Sequence, residues 1–372
     1  MSLSIAVRSP ALVWDIYCKL VDNYGDVGAC WRLAVDLATR GHRVRLFLDD
    51  LAPLAWMAPK RHAGVDVIHW DRSAPRNLGN VVVAAFSCEL DDATLEAIGA
   101  RRRSEAACVW IHLEHLSAES FSARAHGRAA PVLRGPAAGA PRFAFYPGFT
   151  EATGGLLREP DLPQRQLAFK REAWLTAQGL PWRAQTLISM FCYEPPQLPG
   201  LLAQFAEGDQ AVLLLVCAGR GARAVRQALG VAINGGEQVP IRHGRLTLAF
   251  LPPLTQIEYD HLLWACDLNF VRGEDSLVRA LWAGRPWVWN IYPQDDGAHQ
   301  AKLRALLNTM QASDSLRRFS EAWNGIDTGG QGLDNPLREM AQWQGAIQTW
   351  RDSLLGQPDL TSQLIEFATK AG

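Results

Sequence analysis

Three short segments carry residue types that bond-making chemistry needs. The first is Val21-Asp22-Asn23-Tyr24-Gly25-Asp26-Val27-Gly28. It sets two carboxylates four residues apart, with an amide and a phenol between them. One aspartate at a helix start caps it and suits its dipole. Two acids with Asn23 exceed what a cap requires. Gly25 and Gly28 are expected to let the backbone turn and approach a ligand or a helix closely. The second segment is Arg272-Gly273-Glu274-Asp275-Ser276. Gly273 permits a tight turn, and Ser276 is expected to cap the helix that follows. The N–H groups at 275 to 277 would form an anion-binding nest. Arg272 would neutralise phosphate, and Glu274 would accept hydrogen bonds from ribose hydroxyls. The third is Phe191-Cys192-Tyr193-Glu194, with a ring suited to stacking on a base and a phenol suited to phosphate. Tyr292-Pro293-Gln294 raises the same possibility. For each segment the bland alternative is a solvated helix start or a core aromatic.

Each segment is expected at the carboxyl end of a buried strand. Leu12 to Cys18 reads as a strand before the first acidic loop, and Cys30 to Arg40 as the helix after it. Further apolar runs follow at 44–48, 65–68, 81–86, 107–113 and 143–146. Their Val, Ile, Leu and Ala content suits parallel strands covered on both faces. The Ala-, Gly-, Pro- and Arg-rich stretch 117–141 is expected to contain a long loop. A second α/β series starts with strands at 186–191, 211–217, 246–251, 268–271 and 287–292. Helical patterns lie at 256–264 and 276–283, and 335–370 is mostly helical. The expected architecture is two Rossmann-like α/β domains facing a central cleft. The N-terminal one covers 1–165 and the C-terminal one 166–345, with a helical tail at 346–372 packing back on the first. In open α/β sheets, ligands bind outside the carboxyl ends of the strands. The absence of G-x-G-x-x-G disfavours a dinucleotide oxidoreductase.

The bulk numbers agree with this outline. A chain of 372 residues with 48% hydrophobic content has enough apolar material for two cores. The net charge of −1, from 37 basic and 38 acidic residues, argues against an electrostatic nucleic-acid binder. The odd number of cysteines, seven, with no C-x-x-C, suits reduced core thiols and a cytoplasmic setting. No run is apolar for long enough to span a bilayer, and no secretory leader is apparent at the N-terminus. His112 and His115 form H-x-x-H with no third ligand nearby in sequence, so no metal site is expected.

At these segments the chain resembles the bacterial protein-arginine rhamnosyltransferases that modify elongation factor P. The matching residues are Trp14-Asp15-Ile16-Tyr17-Cys18, Asp22 to Gly28 and Trp31-Arg32-Leu33-Ala34. Next come Leu116-Ser117-Ala118-Glu119, Pro147-Gly148-Phe149-Thr150 and Gly154 to Glu159. Phe191 to Glu194, Arg272 to Ser276 and Ile291 to Gln294 complete the set, in order over nearly the whole chain. The resemblance implies a GT-B glycosyltransferase that moves rhamnose from dTDP-β-L-rhamnose to an arginine of elongation factor P, with inversion. It implies no cofactor or metal and no direct contact with nucleic acid or membrane. Asp26 matches the family's proposed general base, Asp22 its partner, and Glu274 is counted with them. Phe191, Tyr193, Gln256, Arg272, Glu274, Asp275, Ser276, Tyr292 and Gln294 fall on the donor side. Asn23, Tyr24, Gly25, Glu114 and Glu119 fall on the acceptor side. The chain departs from the family pattern at His112 and His115, where Asn and Tyr are expected nearby, and at Leu251, where an aromatic is expected.

The implied acceptor is chemically demanding. A guanidinium is a poor nucleophile, because its lone pair is delocalised and its pKa exceeds about 12. Two carboxylates can grip separate N–H groups and localise its electrons. An aspartate is too weak a base to deprotonate it beforehand, so the proton must leave as the C–N bond forms. Two other readings share these residues: a nucleotide-sugar transferase with a small-molecule or glycan acceptor, and a non-catalytic nucleotide-sugar binder.

Overall fold

The computed structural model describes residues 11–20, 24–70, 77–86, 88–104, 107–180, 182–231, 240–326 and 333–372. The chain divides into two compact units, Met1–Glu159 with Pro358–Gly372, and Pro160–Gln357. The expected boundary lay at 165/166, and the expected tail at 346–372.

Unit 1 runs β1 (Val13–Cys18), α1 (Gly25–Thr39), β2 (Arg43–Leu48), α2 (Ala52–Met57), β3 (Val65–His69) and β4 (Val81–Ala85). It continues with α3 (Asp92–Arg102), β5 (Val109–Leu113), α4 (Ser120–Ala125), β6 (Ala129–Pro131) and β7 (Pro141–Phe145). Unit 2 opens with α5 (Leu162–Ala168), α6 (Arg171–Ala177), β8 (Thr186–Met190), α7 (Leu198–Glu207), β9 (Val212–Val216) and α8 (Arg220–Ala228). Then come β10 (Ile241–His243), β11 (Leu246–Phe250), α9 (Gln256–Ala265), β12 (Leu268–Arg272), α10 (Glu274–Ala283) and β13 (Trp287–Asn290). Helices α11 (Ala298–Thr309), α12 (Asp314–Trp323) and α13 (Pro336–Leu355) close unit 2, and α14 (Leu360–Ala371) belongs to unit 1.

Among the described residues, unit 1 holds a seven-stranded sheet in the order β3-β2-β1-β4-β5-β7-β6. Only β6 runs antiparallel to its neighbour. Alternate side chains of β1 serve opposite faces, as the pleat requires. Trp14, Ile16 and Cys18 join the core under α1, whereas Tyr17 packs with Phe47, Val82 and Trp110 on the other side. Asp15 is fully buried and held by Arg45 through Nε at 2.6 Å and Nη2 at 2.7 Å. Leu33 and Leu37 of α1 share a core with Leu360, Leu364 and Ala368 of α14. Arg40 fastens the two helices, donating to Asp36 at 2.9 Å, Asp359 at 2.8 Å and Ser362 at 2.6 Å.

Unit 2 holds a six-stranded sheet in the order β10-β11-β9-β8-β12-β13, parallel except for β10. Its strands β9 and β13 are buried along their whole length, the pattern of a sheet covered on both faces. In each unit the strand order reverses beside the first strand, between β1 and β4 and between β8 and β12. These are the places where a ligand crevice forms in such sheets.

Several local expectations need correction. Helix α1 starts at Gly25, five residues earlier than its apolar pattern suggested, so Asp26 sits in the first helical turn. A Cβ at Gly25 would meet nothing within 4 Å, and no close approach there demands glycine. The stretch 117–141 contains α4, β6 and the first residue of β7, with a loop over 132–140 between the two strands. Short β6 and β10 escaped the hydrophobic pattern because both are edge strands with exposed residues.

Candidate active site

In unit 1 the parallel strands deliver their following residues to one edge of the sheet. After β1 comes Tyr24, then Asp26 in the first turn of α1, half-buried. Its N–H-rich helix start suits negative charge. Asp22 and Asn23 lie outside the described residues. One turn on is Cys30, whose thiol is pushed well up by burial first, then by Cys18 and the Asp26 charge. A thiol so displaced is a packing group and not a nucleophile. All seven cysteines are unpaired, and six of them are buried.

The ends of β4, β5 and β7 complete this edge. Phe86 follows β4 with φ of 59°, and its ring stacks on His115 at 5.2 Å. Glu114 follows β5 and donates its N–H to the Phe145 carbonyl at 2.9 Å. Its carboxylate lies 3.8 Å from His112 Nε2. Burial, then the Glu114 charge, pushes the Tyr146 phenol up. Burial pulls the His112 imidazole down despite Glu114. The two histidines of H-x-x-H are thus separately engaged, and among the described residues no His, Cys, Asp and Glu group is arranged to hold a metal. Glu119 is held locally: its N–H donates to Ser117 Oγ at 3.0 Å, and that hydroxyl donates to its carboxylate at 3.2 Å. Two aromatic pairs flank the edge, exposed Tyr24 with exposed Trp56 at 5.6 Å and exposed Phe121 with half-buried Tyr146 at 5.7 Å. Sequence reading missed Trp56, Phe121 and Tyr146, because a single aromatic without periodicity carries no signal of exposure.

Unit 2 gathers its groups at the β8/β12 reversal. Phe191 and Tyr193 follow β8, and Arg272 ends β12. The Arg272 guanidinium carbon lies 4.4 Å from the Phe191 ring centroid and 4.8 Å from that of Tyr193. Its Nη1 donates to the Cys192 carbonyl at 3.1 Å. Among the described residues Arg272 has no carboxylate partner, and burial pulls its pKa down. An arginine stays charged even so. The cation is therefore partly desolvated and lies against two ring faces and one carbonyl. Burial pushes the Tyr193 phenol up to about 12, so it remains a hydrogen-bond donor.

The turn after Arg272 explains its neighbours. Gly273 has φ of 67°, a conformation a side chain resists, and is the N-cap of α10. Its carbonyl accepts the Trp289 indole N–H at 3.0 Å. Ser276 is not the cap: it lies inside α10, and its hydroxyl donates back to the Arg272 carbonyl. Glu274 and Asp275 occupy the first turn, and Glu274 forms an ion pair with Lys302 of α11, a partner the sequence did not announce. Gln256 opens α9, which Thr255 caps by accepting from the Glu258 N–H at 3.2 Å. Asp260 of α9 and Arg279 of α10 are both buried and paired at 2.9 and 2.7 Å, locking together the helices whose starts carry these groups. Tyr292 is exposed and meets the Tyr193 ring edge-on at 5.3 Å. Gln294 is exposed, and its N–H donates to His299 Nδ1 at 3.1 Å. Leu251 is buried in the core with Cys217 and Leu262.

Comparison with known proteins decides what these two edges belong to. The family described as Elongation-Factor P (EF-P) rhamnosyltransferase EarP matches residues 14–369. The chain belongs to this family. It is 40% identical to a protein-arginine rhamnosyltransferase of Pseudomonas aeruginosa, over 95% of this chain and 98% of that one. It is 31% identical to the Shewanella oneidensis protein of the same name, over 99% of this chain and 100% of that one. A solved EarP structure, concerned with arginine glycosylation of translation elongation factor EF-P, aligns with a TM-score of 0.69 at 32% identity. That alignment covers 97% of this chain and 100% of the other. The glycosyltransferase SnogD of Streptomyces nogalater aligns at 0.50 with 12% identity, over 97% and 99% of the two chains, a likeness of fold alone. The EarP-family chain is thus a GT-B enzyme, a rhamnosyltransferase built of two Rossmann-like units.

Proposed function

We propose that this protein transfers L-rhamnose from dTDP-β-L-rhamnose to one arginine of elongation factor P, inverting the anomeric centre. Unit 2 holds the donor and unit 1 receives the arginine. The observation that supports the reading best is the half-buried Arg272 cation over Phe191 and Tyr193, with no carboxylate in contact among the described residues, at the ligand-binding reversal of the unit 2 sheet. A diphosphate is the anion that such a cation lacks. The start of α10, with Asp275 and Ser276 in its first turns, adds N–H groups beside it. Phe191 and Gln256 border the base, and Glu274, Tyr292 and Gln294 the sugar and ribose. Nearby, Glu274 is held in place by its ion pair with Lys302.

In unit 1, Asp26 takes the role of base, and Asp22 that of its partner on the guanidinium. Asp26 accepts the proton as the C–N bond forms and the C–O bond to dTDP breaks. Arg272 stabilises the charge that develops on the departing diphosphate. Asn23, Tyr24, Gly25, Glu114 and Glu119 border the acceptor, and the exposed rings of Tyr24, Trp56 and Phe121 offer it apolar area. The proposed reaction needs no cofactor or metal and takes place in the cytoplasm. Among the described residues no helix is long and apolar enough to cross a membrane.

Arginine side chains are abundant, so selectivity must come from contacts beyond the guanidinium. A folded acceptor also pays less ordering entropy than a flexible peptide. The test compares kcat/KM for intact elongation factor P, its acceptor domain, a linear peptide around the arginine, and free arginine. The expected peptide deficit is at least about tenfold, or about 1.4 kcal/mol. Equal efficiency for peptide and domain would remove folded-surface recognition, and no transfer to any of the four would remove the acceptor assignment.

A further inference from the structure

One cation near the unit 2 site is not used by the reading above. Arg220 opens α8, directly after Gly219, whose φ is 109°. Its guanidinium carbon lies 5.3 Å from the Tyr193 ring centroid, the same ring that Arg272 approaches at 4.8 Å. The two cations are therefore no farther apart than those two distances laid end to end. A Cβ on Gly219 would stand 3.9 Å from Arg272 Nη2, so the turn before Arg220 borders the Arg272 guanidinium directly. A side chain at Gly221 would meet the Cys192 carbonyl at 2.9 Å, the atom that holds Arg272 Nη1 at 3.1 Å. The β8, β9 and β12 ends thus converge two guanidiniums on one phenol.

The negative charge present there belongs to the protein. Arg220 Nε donates to Glu194 Oε1 at 2.8 Å, and Nη2 donates to Oε2 at 2.6 Å. This is the two-pronged geometry that guanidinium offers to carboxylate and phosphate alike. Glu194 feels more than one cation: its carboxyl is held down by the hydrogen bond from Arg220, and further by the charges of Arg220, Arg272 and Arg223. Yet the pair is open to solvent, with the two side chains 39% and 48% exposed. An exposed pair of this kind is weak and readily exchanged.

We propose that Arg220 is a second phosphate-binding cation of the donor site, and that Glu194 is a tethered carboxylate which occupies it until a nucleotide diphosphate displaces it. The proposal rests on the reading of unit 2 as the donor-holding unit. Glu194 then serves two ends. It keeps Arg220 in a phosphate-ready orientation while the site is empty, and it competes with the leaving nucleotide once transfer is complete. Re-pairing of Glu194 with Arg220 assists release of dTDP.

Calorimetric titration of the full-length protein with dTDP, thymidine and inorganic phosphate tests this. Arg220→Ala is expected to weaken dTDP about tenfold or more while leaving thymidine nearly unchanged. Glu194→Gln removes the competing charge and keeps the side chain's shape, and is expected to tighten dTDP about two- to fivefold. In the Arg220→Ala background, Glu194→Gln should have a clearly smaller effect, because the direct contact between the two residues is gone. Equal losses for dTDP and thymidine in Arg220→Ala, or unchanged or weaker dTDP binding by Glu194→Gln, would overturn the proposal. So would inorganic phosphate binding as tightly as dTDP, which would mark a general anion site. Wild-type protein that binds no dTDP at all would overturn the donor reading of unit 2 itself, a result distinguishable from the others.

Discussion

The Arg272 guanidinium carbon stands 4.4 Å from the centre of the Phe191 ring, so one face of the ring that would meet a base is already covered by a cation. The Phe191 edge also touches Tyr259 at 5.5 Å. On the proposed donor reading, base binding and phosphate binding would be coupled through this one contact, and removing the ring would affect the two together.

Separate substitutions should show that coupling. Arg272→Ala is expected to weaken dTDP much more than thymidine, since the charge it removes serves the diphosphate. Phe191→Ala is expected to weaken both, by about 1–3 kcal/mol if the ring stacks on the base. Arg272→Lys should behave more like the alanine variant than like wild type, because a lysine cannot span two ring faces and a carbonyl at once. Calorimetry with the two ligands checks this, and a uniform loss across ligands for Arg272→Ala would place its role elsewhere.

Stability of unit 2 should depend heavily on the buried Asp260–Arg279 pair, whose side chains are 1% and 2% exposed. Asp260→Ala takes the carboxylate away from a buried guanidinium and is expected to cost about 3–5 kcal/mol. Replacing both partners by apolar residues should cost far less. Denaturant unfolding followed by tryptophan fluorescence measures both variants. A single variant as stable as wild type would mean that the pair contributes nothing net to the stability of unit 2.

Acid should loosen unit 1 through His42. The Leu12 N–H donates to His42 Nδ1 at 3.1 Å, which requires that nitrogen to be unprotonated. Burial, with the Arg40 charge, pulls the imidazole below its usual 6.5. A depressed pKa contributes stability that is present above the unfolded value and is lost as pH falls through the folded one. The melting temperature of unit 1 should thus decline as pH drops below about 6.5. His42→Gln keeps an acceptor without titrating and should flatten that decline; an unchanged profile would assign the acid sensitivity to other groups.

Much of the fold is legible in the sequence for a physical reason. Strands such as Val81–Ala85 and Val212–Val216 are buried on both faces, and continuous apolar runs leave little else for them to be. Edge strands β6 and β10 are short and exposed, so nothing in their composition marks them. At the candidate site, the strand-end turn at Arg272 and Gly273 was readable because a glycine with charged neighbours after an apolar run has few structural uses. Lys302 and Trp56 were not, since each reaches its partner across the fold and has no local pattern. The start of α1 was misplaced because Gly25 and Asp26 are poor helix formers, a preference that the buried stripe of Val27, Cys30, Trp31 and Leu33 overrides.

The most direct measurement is transfer itself, read by intact-protein mass spectrometry. Wild-type protein, dTDP-β-L-rhamnose and elongation factor P are incubated together, and the product is digested to locate the sugar. The expected result is a single deoxyhexose on one arginine, with no addition when that arginine is replaced by lysine. Asp26→Asn should lower kcat by about 100-fold or more while dTDP still binds, as the loss of a positioned base demands. A wild-type protein that leaves elongation factor P unmodified, or an Asp26→Asn variant that turns over at the wild-type rate, would contradict the proposed chemistry.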